Sequence, residues 1–234
     1  IYSKNDSWEK EQHYSDVTSE EHAIWKNLYE LTYPKAYKYG VNIYRDGLDA
    51  YQASIDRFSS RIPNLDKISK AMSQKTSWNI KPVSGFVDEV IFFDLISKCY
   101  FPSSDIIRLS QNFKDKYKDV EVKNNLSYTP EPDIFHEIFG HAPFLLNKEY
   151  CKLFEDIGKL AKDIIYNMDF PDELISHNLK RLQNFVWWTL EFGIIISHDL
   201  ENFKILGAGI LSSRDEIDNV VNSVLGVANN SEII

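Results

Sequence analysis

Pro132-Asp133-Ile134-Phe135-His136-Glu137-Ile138-Phe139-Gly140-His141-Ala142-Pro143-Phe144-Leu145-Leu146 sets ionisable side chains among large apolar ones. Burying a polar group without a partner costs on the order of 1–3 kcal/mol, and an unpaired charge costs more, so these side chains need partners. A second anomaly lies in Phe185-Val186-Trp187-Trp188-Thr189-Leu190-Glu191-Phe192-Gly193-Ile194-Ile195-Ile196, where a single carboxylate stands in an apolar run. This run predicts part of a helix over 178–197 that is apolar nearly all round and therefore buried on every face. Inside such a helix Glu191 needs a cation.

One metal ion answers both anomalies. Two neutral imidazoles and one carboxylate form the 2-His-1-carboxylate triad of non-haem Fe(II) oxygenases, which leaves other positions open for oxygen or substrate. His136, His141 and Glu191 are the expected ligands. A zinc hydrolase with Glu137 as general base is the alternative, but that helix needs His-Glu-x-x-His, and here the i+4 position is Gly140. His141 stands at i+5, about 140° around an ideal helix from His136, so both reach one metal only if the helix unwinds or bends. Gly140 and Pro143 are read as that ending. His13, His22, His177 and His198 lie in polar surroundings and are expected at the surface.

Outward from these segments, helical signals dominate. Thr18-Ser19-Glu20-Glu21 is a capping box followed by Ala23, Ile24, Leu28 and Leu31 at helical spacing. Further helices are predicted over 47–57, after Pro63-Asn64, over 88–99, through Leu153 to Ile165, and after a second capping box, Ser213-Arg214-Asp215-Glu216. Residues 77–87, alternating and broken by Pro and Gly, predict a short strand or extended loop. Seven Lys, Asp or Glu residues fall between Lys114 and Lys123, so 109–126 is expected to be a solvated loop or insertion.

Composition narrows the function. The 234 residues are 43% apolar and 14% aromatic, ample for one core, and a single catalytic domain over 1–234 is expected. A net charge of −9 disfavours nucleic acid and anionic lipid as partners. No apolar run approaches the roughly 18 residues of a membrane span. Cys99 and Cys151 form no CxxC pair, which favours a reducing, cytoplasmic setting.

At this point the wording resembles a known family. Tyr128-Thr129-Pro130-Glu131-Pro132-Asp133 and the His136 to Pro143 stretch resemble the iron-binding signature of the tetrahydrobiopterin-dependent aromatic amino acid hydroxylases. Trp187-Trp188-Thr189-Leu190-Glu191-Phe192-Gly193 resembles the segment that gives the third ligand, and Gly207-Ala208-Gly209-Ile210-Leu211-Ser212-Ser213 a third signature. The style is that of the compact bacterial phenylalanine hydroxylases, without a regulatory domain or tetramerisation helix, so a monomer is expected.

The resemblance implies a mainly α fold, a helical basket around a non-haem iron with a few short strands. It implies a monooxygenase in which Fe(II) and a reduced pterin such as tetrahydrobiopterin activate O2 to hydroxylate the ring of an aromatic amino acid, phenylalanine above all. Carried over residue by residue, Phe92 would stack on the pterin, the backbone of Gly85, Phe86 and Val87 would hydrogen-bond to it, and Glu137 would be the acid on the pterin side. Arg108 would take the amino acid carboxylate through its planar fork, while Thr129, Trp187 and Ser212 would wall the substrate site. Three departures stand out: the charged stretch 109–126, a C-terminus shorter than the family's, and a longer interval from His141 to Glu191 than the family's pattern. A relative that keeps the metal and binds an aromatic ligand without catalysis would carry the same ligand set.

Overall fold

The computed structural model describes residues 8–85, 87–111, 114, 131–167, 169–196 and 202–230. Phe86, Thr129, His198 and most of the charged stretch 109–126 lie outside the described residues.

Helices make most of the fold. The Thr18 capping box closes as its sequence requires: Thr18 Oγ1 accepts from Glu21 N–H at 3.2 Å, and Glu21 Oε2 accepts from Thr18 N–H at 2.8 Å. It starts α1, Ser19–Tyr39. The buried face of α1 is not the aliphatic set Ala23, Ile24 and Leu31 but Trp25, Leu28, Tyr29, Thr32 and Ala36. Aromatic area decides the rotation: Trp25 and Tyr29 both pack edge-on to Phe58, at 6.0 Å. His22 is buried too, against expectation, because its Nδ1 accepts from Ile62 N–H at 3.2 Å. Burial then lowers the pKa of His22.

Next come α2, Asn42–Ser54, earlier than predicted, and α3, Leu65–Ser73, whose Asn64 cap accepts from Lys67 N–H. The extended segment is β1, Asn79–Pro82, which pairs in parallel with β2, Tyr100–Ser103, in the register Ile80 to Phe101. Between them α4, Glu89–Ser97, makes the crossover, capped by Asp88.

After the undescribed stretch, Ile134 and Phe135 lead into a π-helical turn, His136–His141, here called the histidine turn. Then follow α5, Lys148–Lys162, and α6, Asp172–Val186. A second π-helical turn, Trp187–Glu191, here the glutamate turn, ends the helix that the sequence carried on to 197. Ile194–Ile195 is instead β3, antiparallel to β4, Lys204–Ile205. The short α7, Ala208–Leu211, and the long α8, Arg214–Asn230, complete the fold.

One hydrophobic cluster joins all of this, from Trp25 on α1 to Val224 on α8. The 185–196 run is not enclosed by it. Phe185, Trp187, Trp188, Ile195 and Ile196 are all exposed, so apolar periodicity alone overstated its burial. No described helix is long and apolar enough to cross a membrane.

Candidate functional site

The i+5 spacing of the two histidines is resolved by widening the helix, not by ending it. A π turn closes i→i+5 bonds, as in Ala142 N–H to Glu137 O at 3.0 Å, so residue i+5 returns over residue i. His136 and His141 thereby point to one place, their Nε2 atoms 3.2 Å apart. Two buried tyrosines of α2 serve the turn's carbonyls: Tyr44 Oη donates to Phe139 O at 3.0 Å and Tyr51 Oη to Ala142 O at 3.2 Å. Gly140 is not a cap. A Cβ there would lie 2.9 Å from Ala208 O and 3.2 Å from Ser212 Cβ, so this glycine lets α7 press against the turn.

Glu191 ends the glutamate turn with its Oε1 2.8 Å from His141 Nε2 and its Oε2 3.7 Å from His136 Nε2. One ligand atom from each of His136, His141 and Glu191 lies within 4.8 Å of the others. The protonation states suit a cation. Burial holds His136 down to about 4, against the opposing pull of Glu191, so the ring is neutral at pH 7. Burial would raise Glu191, but the facing His141 overrides it and brings the carboxyl down to about 2. His136 Nδ1 lies 2.9 Å from Ser212 Oγ, which donates onward to Gly209 O at 3.3 Å. That chain places the His136 proton on Nδ1 and leaves the Nε2 lone pair bare. Two imidazole nitrogens and one carboxylate oxygen facing one point fit a first-row metal such as iron. Ser212, expected as a wall of the substrate site, is placed instead against the His136 ring, which it orients.

The centre lies in a cleft of about 620 Å³. Every described residue expected at the site lines it: Gly85, Val87, Phe92, Arg108, His136, Glu137, His141, Trp187, Glu191 and Ser212. The volume is in the range of small-molecule and cofactor sites. Glu137 is buried beside the ligands, and its Oε2 accepts from Ser104 N–H at 2.5 Å, just past β2. Burial pushes its carboxyl well above the usual range.

Arg108 is where the sequence reading was incomplete. Its Nε and Nη2 donate to the two oxygens of Asp133, at 2.8 and 2.7 Å, with both side chains almost fully buried. Asp133 also accepts from the backbone N–H of Arg108 at 2.8 Å and of His136 at 3.0 Å. One carboxylate therefore starts the histidine turn and fixes the guanidinium that lines the cleft. Asp133 stood inside the quoted signature, but nothing in the spelling pairs it with a residue 25 positions earlier. Trp187, half exposed, presents its ring beside Phe192, centroids 4.7 Å apart.

Comparison with known proteins agrees with this geometry. The chain is 29% identical over 212 residues to the phenylalanine-4-hydroxylase of Caulobacter vibrioides, covering 89% of this chain and 62% of that relative. It therefore spans less than two thirds of that relative's length. Among solved structures, the cobalt-bound phenylalanine hydroxylase of Chromobacterium violaceum superposes with a TM-score of 0.74 at 26% identity, covering 95% of this chain and 70% of that one. The same enzyme with oxidised Fe(III) gives 0.73 at 25% identity, covering 93% and 69%. Residues 8–229 match the sequence pattern of the biopterin-dependent aromatic amino acid hydroxylases, and the chain belongs to that family.

Proposed function

We propose that this chain carries the catalytic centre of an iron- and tetrahydropterin-dependent monooxygenase that uses O2 to hydroxylate the ring of an aromatic amino acid, phenylalanine above all. The observation that carries this reading is the convergence of His136, His141 and Glu191 on the floor of a cleft whose walls include Phe92 and Arg108. The names of its relatives support phenylalanine. Iron held by this triad, with a reduced pterin as electron donor, supplies the activation of dioxygen.

The residues divide the remaining work. Phe92 offers a ring face to a flat heterocycle, with Gly85 and Val87 beside it in the same cleft wall. Glu137, whose carboxyl burial pushes well above the usual range while Ser104 N–H holds its Oε2, stands as the acid on the pterin side. Arg108, pinned by Asp133, takes the substrate carboxylate without having to order its own long side chain first. Trp187 packs against the substrate ring. Uncharged free thiols at Cys99 and Cys151 support a reducing, cytoplasmic setting.

The test is anaerobic loading with Fe(II), then oxygen and a tetrahydropterin with phenylalanine, tyrosine or tryptophan, read by mass spectrometry. One added oxygen atom on phenylalanine is expected, and no product on any of the three rejects the reading. Glu191→Ala and His141→Ala should each abolish stoichiometric iron by emission spectroscopy. Unchanged iron in both rejects the triad.

A further inference from the structure

A hydrogen bond spans the mouth of the cleft. Glu89, in the first turn of α4, and Gln183, in the second half of α6, are 94 positions apart, and Gln183 Nε2 donates to Glu89 Oε2. Both line the cleft. Phe92 follows Glu89 at i+3 on the same face of α4, and Trp187 follows Gln183 at i+4 on the way to Glu191. Glu89 and Gln183 are half-buried, so the pair lines the cleft beside Phe92 and keeps contact with solvent.

The position of Glu89 has no local cause. An acidic residue in a first turn ordinarily serves its own helix, but Asp88 already caps α4, its Oδ1 accepting from Val90 N–H at 2.9 Å. The Glu89 carboxylate is held instead by a neutral amide from the opposite wall. An amide donor fixes a carboxylate without cancelling its charge, and among the described residues no Lys or Arg pairs with Glu89. Glu216 lines the same cleft and adds to its negative field. The cation on this side is Lys180, an exposed side chain one turn further out on α6. Its long stem and full hydration make it the weaker determinant.

Resting on the pterin reading above, we infer that Glu89, positioned by Gln183, selects which reduced pterin enters: one with a neutral, hydroxyl-bearing side chain, and not one with a phosphate or carboxylate on that chain. A substituent hydroxyl that reaches the mouth can donate to the carboxylate and accept from the second N–H of Gln183. An anionic substituent meets a fixed like charge in a partly desolvated cleft. At separations of a few Å that repulsion amounts to about tenfold or more in affinity.

The experiment is anaerobic calorimetry on the Fe(II)-loaded chain, which reads binding without turnover, using tetrahydroneopterin and its phosphate ester. Wild-type protein should bind the phosphate ester at least about tenfold more weakly, and Glu89→Gln should bring the two within about threefold. Equal affinities in wild type, or a gap that survives Glu89→Gln, overturn the inference. So does tighter binding of the ester that is lost in Lys180→Met, which would make Lys180 the reader of the side chain. Absence of binding by either pterin overturns the pterin reading itself, a different result from binding without discrimination.

Discussion

The two π turns that carry His136, His141 and Glu191 share a backbone solution and differ in everything that supports it. The histidine turn is packed on all sides: Ile138, Phe139 and Ala142 are wholly buried, tyrosines from α2 satisfy its carbonyls, and Asp133 caps its start. The glutamate turn is half in solvent, with Trp188 71% exposed, and is backed mainly by glycines. At Gly207 a Cβ would lie 2.3 Å from Glu191 O, and at Gly209 3.2 Å from Glu191 Oε2. One turn is held by a core and the other by the close approach of a loop. A widened helix turn thus needs an external support, but not a buried one.

The largest effect should come from removing the cap of the histidine turn. Asp133→Ala takes the bidentate carboxylate away from the buried Arg108 guanidinium, and breaking a buried pair costs about 3–5 kcal/mol. Urea unfolding should show that loss as a lower midpoint, and a midpoint within error of wild type would mean that the turn does not depend on its cap.

Acid gives an intermediate effect on the same turn. Burial lowers the His136 pKa from 6.5 to about 4, so the unfolded chain takes up this proton first as pH falls. Its contribution to stability is complete above pH 6.5 and is lost on the way down to 4, up to about 3 kcal/mol in the metal-free protein. Glu191, lowered to about 2, adds a second loss between pH 4.5 and 2. Thermal midpoints of metal-free wild type and His136→Gln across pH 7 to 4 check the first step, and parallel slopes would remove His136 from it. The smallest effect belongs to the exposed turn: Trp188→Ser should change stability by less than about 0.5 kcal/mol and leave iron content unchanged. A larger loss would show that this turn also leans on apolar packing.

What was legible in the sequence follows the same division. His136, His141 and Glu191 could be found because each is polar in apolar company, and that signal survives without coordinates. Phe92, Arg108 and Trp187 came from family wording, and the structure brings them into one cleft. Hidden from the sequence was whatever depends on two distant segments meeting. The Asp133–Arg108 pair, the Ser212 bond to His136, and the Glu89–Gln183 bridge join residues whose neighbours in sequence give no hint of them. The π geometry was hidden for a different reason: an i+5 pair of histidines contradicts an α-helix and a strand alike, and only the coordinates show which rule gives way. Apolar content misled at 185–196, because counting large side chains says how much area there is to bury and not whether a partner covers it.

The histidine turn has one consequence for genetics. Closing i→i+5 takes one residue more per turn than an α-helix, so the centre depends on chain length as well as on residue identity. Deleting any one residue between His136 and His141 would restore the i+4 spacing of an ordinary helix, but with its carbonyl partners and α7 contact out of step. Substitutions here can be graded in kcal/mol. A single-codon deletion is all or none, and this short segment should therefore tolerate no change in length even where it accepts a change in spelling.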